Sequence, residues 1–169
     1  MHAEVDAASA VASQIAFQPA TPEDREWLFA LHERCMRPMV ERTFGQWDEA
    51  AQRAKFAKRT ETDVRIVCLG LVRVGAVHLE DKPDGSFYVG LIDIDPDHQN
   101  KGIGRAVLER LAAEAAAGDR ALTLSVRHAN PAKRLYERVG LRVTHSDATH
   151  FHLRLDPAQP DESVRPEVP

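Results

Sequence analysis

The sequence predicts a single α/β (α+β) domain with a mixed sheet, and three observations carry that prediction. At 169 residues the chain can bury one real core and is short for two. Apolar residues recur at helical spacing in some windows and as short β-branched runs in others, in the order β-α-α-β-β-β-α-β-α-β-β. A glycine-rich stretch, Gln99 to Arg105, marks where an apolar strand hands over to an amphipathic helix.

Composition sets the class. With 43% hydrophobic and 28% charged residues and a formal net charge of −4, the chain reads as an ordinary soluble globular protein. It is not basic enough to make nucleic acid its main partner. Cys35 falls in a helical pattern and Cys68 in an apolar run. Two thiols are too few for a disulfide framework and lack zinc-site spacing, so both are expected in the core. Residues 1–14 have neither the basic start nor the apolar run of a signal peptide, and no stretch reaches membrane-spanning length. A cytoplasmic location and no membrane partner are therefore expected. The Ala-rich segment 1–14 and the Pro-rich acidic tail 157–169 are expected to be mobile around a domain over 15–156.

Ile15 to Gln18 reads as a short first strand. Thr21 then suits an N-cap, Pro22 the first helical position, and Glu23 and Asp24 the first turn. Trp27, Leu28, Leu31 and Cys35 recur at helical spacing to about Arg37, where Pro38 is expected to break the helix. Met39 to Trp47 lacks a period, and two readings stay open: a lid or wall over a site, or Phe44 and Trp47 plugging the core. A second helix runs from Asp48 to about Arg59. Val64 to Leu69, Val72 to Glu80 and Phe87 to Ile94 are apolar and β-branched, separated by Gly70 and by the turn cluster Asp81 to Gly85, which makes an antiparallel meander. Ile103, Val107, Leu108, Leu111 and Ala115 line an amphipathic helix ended by Gly118. Ala121 to Val126 is a fifth strand, parallel to the fourth because a helical crossover reaches it. Asn130 and Pro131 start a short helix stopped by Gly140, and Leu141 to Thr144 with Phe151 to Leu155 close the sheet as a hairpin.

The stretch from Val89 to Arg105, VGLIDIDPDHQNKGIGR, carries the clearest chemistry. A helix that opens among glycines offers unpaired backbone N–H groups and the positive end of its dipole, and Gly102 and Gly104 remove the Cβ atoms that would hold a ligand off. Lys101 and Arg105 add two cations, so the expected ligand carries phosphate. No Gly-Lys-Ser/Thr follows, which argues against a P-loop, and Val107 stands where a dinucleotide fingerprint needs its third glycine. Gln99-x-x-Gly102-x-Gly104 in this context points to pyrophosphate, the plain alternative being glycines that relieve tight packing. The second stretch is Asn130-Pro131-Ala132-x-x-Leu135-Tyr136. Spacing alone leaves Asn130 open between N-cap and ligand, and Tyr136 open between packing and chemistry.

Together the two stretches resemble the GCN5-related N-acetyltransferase (GNAT) family, whose acetyl-CoA site combines a Gln/Arg-x-x-Gly-x-Gly/Ala loop with a later helix bearing Asn and Tyr. Gln99, Gly102 and Gly104 match the first motif, and Asn130 with Tyr136, in an RLYERVGL context, the second. The resemblance covers roughly Ile15 to Asp156. It implies a mixed, mostly antiparallel sheet of six to seven strands flanked by four helices, splayed between strands four and five after a bulge in strand four. It also implies acetyl-CoA as co-substrate. The backbone of Gln99, Asn100, Lys101, Gly102, Ile103, Gly104 and Arg105 would cradle the pyrophosphate, and the main chain of Ile92, Asp93 and Ile94 would pair with the pantetheine arm. Asn130, with Lys133 beside it, would meet the same arm, and Tyr136 the thioester sulfur.

The implied activity is transfer of an acetyl group to a primary amine of a small molecule or an exposed peptide, by direct attack on the thioester, in a monomer or homodimer. Tyr136 is the expected general acid, since an ordinary phenol stays protonated at neutral pH. The incoming ammonium must first lose a proton; Glu41 and Asp93 are the foremost candidates for the base, with His78 and Glu80 on the neighbouring strand behind them. The eight histidines show no metal-ligand spacing, and His150 and His152 alternate onto one face of the last hairpin, so a solvated strand face is expected there and no metal. The alternative function is a non-catalytic acyl-CoA-binding or sensor domain, against which the retained Tyr136 counts.

Overall fold

The computed structural model of the chain describes residues 11–59 and 63–157. Of the end segments expected to be mobile, 1–14 and 157–169, residues 1–10 and 158–169 lie outside the described residues. Residues 11–14 are helical, and Val11 and Ala12 pack against the core.

Seven strands make one sheet: β1 (Ile15–Pro19), β2 (Val64–Leu69), β3 (Val72–Asp81), β4 (Phe87–Ile94), β5 (Leu122–Arg127), β6 (Arg142–Ser146) and β7 (His150–Leu155). Their order is β1-β2-β3-β4-β5-β7-β6, with every neighbouring pair antiparallel except β4 and β5. Four further helices flank the sheet: α1 (Arg25–Phe44), α2 (Glu49–Arg59), α3 (Ile103–Ala117) and α4 (Lys133–Val139).

Each face of the sheet has its own core, because strand residues alternate sides. On one face Val107, Leu108 and Leu111 of α3 are fully buried against Val67, Val74, Val77 and Leu124. Burial of such side chains is worth roughly 1.5–3 kcal/mol each. On the other face Leu28, Phe29 and Leu31 of α1 and Phe56 of α2 cover Val64, Ile66, Ala76 and Leu91.

The first helix departs from expectation. Thr21 N donates to Asp24 Oδ2 at 2.8 Å, and Pro22–Asp24 forms a 3-10 turn as expected of that start. Pro38, however, does not end α1, which continues to Phe44 and stops at Gly45 with φ 84°. Proline removes one backbone donor and crowds the carbonyl four residues back. Here the turns on either side offset that cost: Val40 is buried, Arg37 pairs with both Glu33 and Glu41, and Thr43 Oγ1 donates to Met39 O. Trp47 then packs on the α1–α2 core, with its ring 6.5 Å from that of Phe29, while Phe44 stays 65% exposed. Of the two aromatics in this connection, only Trp47 acts as a plug.

The sheet opens at its centre. β4 and β5 pair only through Phe87 with Leu122, Tyr88 with Thr123 and Val89 with Leu124, although β4 runs on to Ile94 and β5 to Arg127. The register between β3 and β4 shifts at the same place, because His78 faces Leu91 and Leu79 faces Val89, leaving Gly90 as the extra residue of a bulge. A Cβ on Gly90 would lie 2.6 Å from His78 Nδ1. The bulge and splay expected of strands four and five are therefore present. A second glycine supports the open end: a Cβ on Gly75 of β3 would meet the Asp93 carbonyl oxygen at 2.5 Å, so only glycine lets β3 come this close to β4 there.

Candidate active site

From Gly90 to Ile94 the edge of β4 that faces β5 carries backbone groups without a β5 partner. Past its end, Pro96–His98 forms a 3-10 turn, and Gln99 returns its side chain so that Nε2 donates to Ile94 O at 2.9 Å. Cys35 Sγ donates to the same carbonyl at 3.2 Å, which ties α1 to the tip of the strand. Asn100 (φ 59°) and Gly102 (φ 80°) take the left-handed conformation that turns the chain into α3. The first intrahelical bond runs from Ala106 N to Gly102 O, so the N–H groups of the opening turn, at Ile103, Gly104 and Arg105, point out of the helix end. Gly104 is a packing glycine as well, since a Cβ there would sit 3.3 Å from Leu135 Cδ2 of α4. The two cations flank this end: Lys101 Nζ donates to Asp97 O at 2.9 Å, and Arg105 Nε to Glu109 Oε1 at 2.7 Å.

Across the opening, the turn before α4 is built by Asn130, whose Oδ1 accepts from Ala132 N at 2.9 Å. The regular helix starts at Lys133, two residues later than the Pro131 position suggests, because successive three-residue turns from Asn130 to Ala132 precede it. The capping duty occupies only the Asn130 oxygen and leaves its amide donors for other work. Lys133 Nζ bonds Glu137 Oε1 at 2.6 Å and lies 5.0 Å from the centroid of the Phe151 ring. Tyr136 is buried in the α3-side core. Burial, and then the negative charge of Asp93, push its phenol up to about 12. The hydroxyl therefore keeps its proton throughout the neutral range.

The four carboxylate and histidine candidates separate clearly. Asp93 is 4% exposed and bonds His32 Nδ1 through Oδ2 at 2.7 Å. Glu41 is half-exposed on the last turns of α1 and is held by Arg37 Nε at 2.8 Å. Glu80 bonds Lys82, and its Oε1 lies 3.7 Å from His78 Nδ1 beneath the bulge. Burial lowers the His78 imidazole below its ordinary value, which favours its neutral form. Asp93 is thus buried on the strand that leaves β5, Gln99 is tied to the end of that strand, and Glu41 belongs to an i,i+4 ion pair on the helix surface.

Two contributors escaped the sequence reading. His32 shows only as one more residue on an apolar helix face, and its tie to Asp93, 61 positions away, needs the fold. Arg34, which bonds Asp95 Oδ2 at 2.7 Å and Asp97 Oδ2 at 3.0 Å, fastens α1 to the turn that precedes the glycine loop. Its i,i+3 spacing from Arg37 on an exposed helix face gave no signal of that reach. On the closing hairpin, the His145 and His152 rings stack at 4.2 Å and His152 Nε2 bonds Asp147 Oδ2 at 2.8 Å. Among the described residues, no group of three or more His, Cys, Asp or Glu side chains could hold a metal ion.

Comparison with known proteins agrees with this geometry. Residues 61–142, which span the meander, the glycine loop, α3 and α4, match the family model of the acetyltransferase (GNAT) domain. No curated protein matches the chain in sequence. Among solved structures, an acetyltransferase from Thermus thermophilus is similar, with TM-score 0.70 and 24% identity over 85% of this chain and 97% of that one. The PaiA N-acetyltransferase of Thermoplasma acidophilum, solved in complex with coenzyme A, has TM-score 0.65 and 16% identity over 84% and 98% of the two chains. A histone acetyltransferase HPA2-related acetyltransferase from Corynebacterium glutamicum has TM-score 0.66 and 20% identity over 88% and 99%. At these identities the structural likenesses speak for the fold, and the match over residues 61–142 is to the acetyltransferase (GNAT) domain.

Proposed function

We infer that this chain transfers an acetyl group from acetyl-CoA to a primary amine of a small molecule or an exposed peptide. The observation that carries the reading is the open β4 edge from Gly90 to Ile94, which leads directly to a glycine-lined helix N-terminus. An extended amide-bearing arm fits the first and a pyrophosphate the second. The cradle suits that ligand in detail: Gly102 supplies a φ of 80° at the helix start, and Lys101 and Arg105 flank it.

In this reading the thioester of acetyl-CoA supplies an activated acyl carbon, and the residues of the chain orient it and move protons. Backbone N–H groups from Gln99 to Arg105 hold the pyrophosphate, and Asn130 donates to the pantetheine region from the opposite bank. A backbone N–H near Ile94 donates to the oxygen that gains charge during attack. Tyr136 gives its proton to the departing sulfur, a role its high phenol value permits at any physiological pH. Asp93, buried beside the opening, is better placed than Glu41 for work on the incoming ammonium.

Thermal stabilisation tests the coenzyme. Acetyl-CoA and CoA are expected to raise the melting temperature while ATP and NAD do not, because a ligand specific for the native state adds to its stability. No shift with either CoA species would overturn the reading. Release of free CoA thiol across a panel of amines then identifies the acceptor. Coenzyme binding without turnover on any amine would favour the sensor-domain alternative.

A further inference from the structure

The acyl-transfer reading, on which this inference rests, leaves one proton without a destination: the one the substrate ammonium must lose before its nitrogen can attack. His32 and Asp93 form a pair almost shut off from water, at 6% and 4% exposure, joined by one 2.7 Å hydrogen bond. They come from different elements, α1 and β4, and Asp93 belongs to the stretch of β4 that has left β5. A carboxylate accepts, so His32 Nδ1 donates, which puts the lone pair of the neutral ring on Nε2. Nε2 makes no hydrogen bond to a described residue, and the ring lies against the apolar face of Phe56, with centroids 4.8 Å apart. With His32 neutral and Asp93 ionised, the pair holds one negative charge away from water. A proton added at Nε2 converts it into a neutral ion pair, which a buried site accommodates better than one unpaired charge.

We propose that the His32–Asp93 pair is the proton acceptor for the incoming amine, with His32 Nε2 as the accepting atom and Asp93 as the residue that fixes its tautomer and orientation. The ammonium N–H bond breaks and its proton passes to Nε2, directly or through one water. The freed lone pair forms the N–C bond to the acetyl carbonyl carbon. On collapse the C–S bond breaks with its electron pair on sulfur, Tyr136 O–H protonates that sulfur, and the resulting phenolate takes the second proton from the new amide nitrogen. The imidazolium proton leaves to solvent, so ammonium and thioester give amide, thiol and one proton. The titratable groups that act on Asp93 are Cys35, on the same helix as His32, and Tyr136 from α4, and Asp95 with its partner Arg34 lies near Cys35. The α2 side contributes the Phe56 ring.

The test uses two small nucleophiles of opposite character at saturating acetyl-CoA and pH 7. Ethanolamine is almost wholly ammonium, whereas hydroxylamine is largely neutral and needs no base. The variants are His32→Leu and His32→Asn, the latter keeping an amide donor near the Nδ1 position with no lone pair at Nε2. Both are expected to lose about 100-fold in thiol release with ethanolamine, the scale of general-base catalysis. With hydroxylamine, measured above the uncatalysed rate, the loss is expected to be at least about tenfold smaller, since only the base step is removed. The ethanolamine loss should shrink as pH rises toward the amine's own pKa. Equal losses with both nucleophiles, no loss, or full recovery in His32→Asn would each overturn the proposal. The stabilisation by acetyl-CoA shows whether each variant is folded, and His32→Asn decides the matter alone if His32→Leu does not fold. If the parent releases no thiol with ethanolamine, an accepted amine from the panel that is ammonium at pH 7 replaces it, and a parent that binds acetyl-CoA and turns over no amine at all overturns the acyl-transfer reading itself, and the proton acceptor with it.

Discussion

On the α3–α4 face of β4, Ile94 packs with Ile103 and Tyr136 beside a loop of fixed local conformation; on the α1–α2 face, Leu91 and Asp93 meet side chains delivered by a helix about 60 positions earlier. The first face is local. Strand end, turn, glycine loop and helix start follow one another from β4 to α3 within Phe87–Ala117, and backbone geometry does most of the proposed binding. The second face is assembled at long range from side chains: His32 on Asp93, Cys35 on Ile94 and Arg34 on Asp95 and Asp97. In the proposed reading a single strand offers its backbone to the coenzyme, while its side chains meet α1. The difference teaches where each kind of change should be felt: substitutions on the coenzyme face should alter binding or acid catalysis, and those on the acceptor face should alter handling of the amine.

Tyr136→Phe should show the largest effect. Turnover is expected to fall about 100-fold with stabilisation by acetyl-CoA retained, as loss of a general acid requires; equal rates for variant and parent would remove Tyr136 from that role. Gly102→Val should follow, because a β-branched residue at φ 80° costs about 1–2 kcal/mol in the left-handed region and distorts the helix start. The melting-temperature gain from acetyl-CoA should drop in that variant, and an unchanged gain would separate the loop from coenzyme binding. The phenol of Tyr136 also gives a pH signature. Its value is raised from 10.0 to about 12 by burial and by Asp93, so the folded state retains the proton after the unfolded chain has lost it. The stability linked to this group is complete below pH 10 and is lost as pH rises from 10 through 12. The loss amounts to about 2–3 kcal/mol, and chemical denaturation of Tyr136→Phe beside the parent would reveal it as the part that disappears. The smallest effect belongs to Glu41→Gln. An exposed i,i+4 pair contributes little, so stability should move by less than about 0.5 kcal/mol, and turnover with any accepted amine should stay within about twofold of the parent. A larger fall in turnover would extend the acceptor face along α1 to Glu41.

Much of this architecture was legible because its signals are local. The meander, the crossover to a parallel β5 and the closing hairpin all followed from alternation, turn chemistry and the helical stripe Ile103, Val107, Leu111, Ala115. Pro38 misled because proline's local cost was weighed without Val40, whose burial holds the next turn of α1 in place. Asn130 and Tyr136 could not be interpreted from spacing, since one capping bond and one buried ring are compatible with several uses.

What the sequence determined by itself was the strand-to-loop-to-helix unit around Gln99, Gly102 and Gly104, in which Asn100 and Gly102 are residue types that accept the left-handed conformation found there. What only the tertiary structure decided was the company Asp93 keeps. A carboxylate on a strand has a solvated, a structural and a chemical future, and burial by α1, with His32 at hydrogen-bonding distance, selects among them. Backbone conformation is encoded within a few residues, whereas burial and side-chain partnership are properties of elements that meet only when the chain has folded.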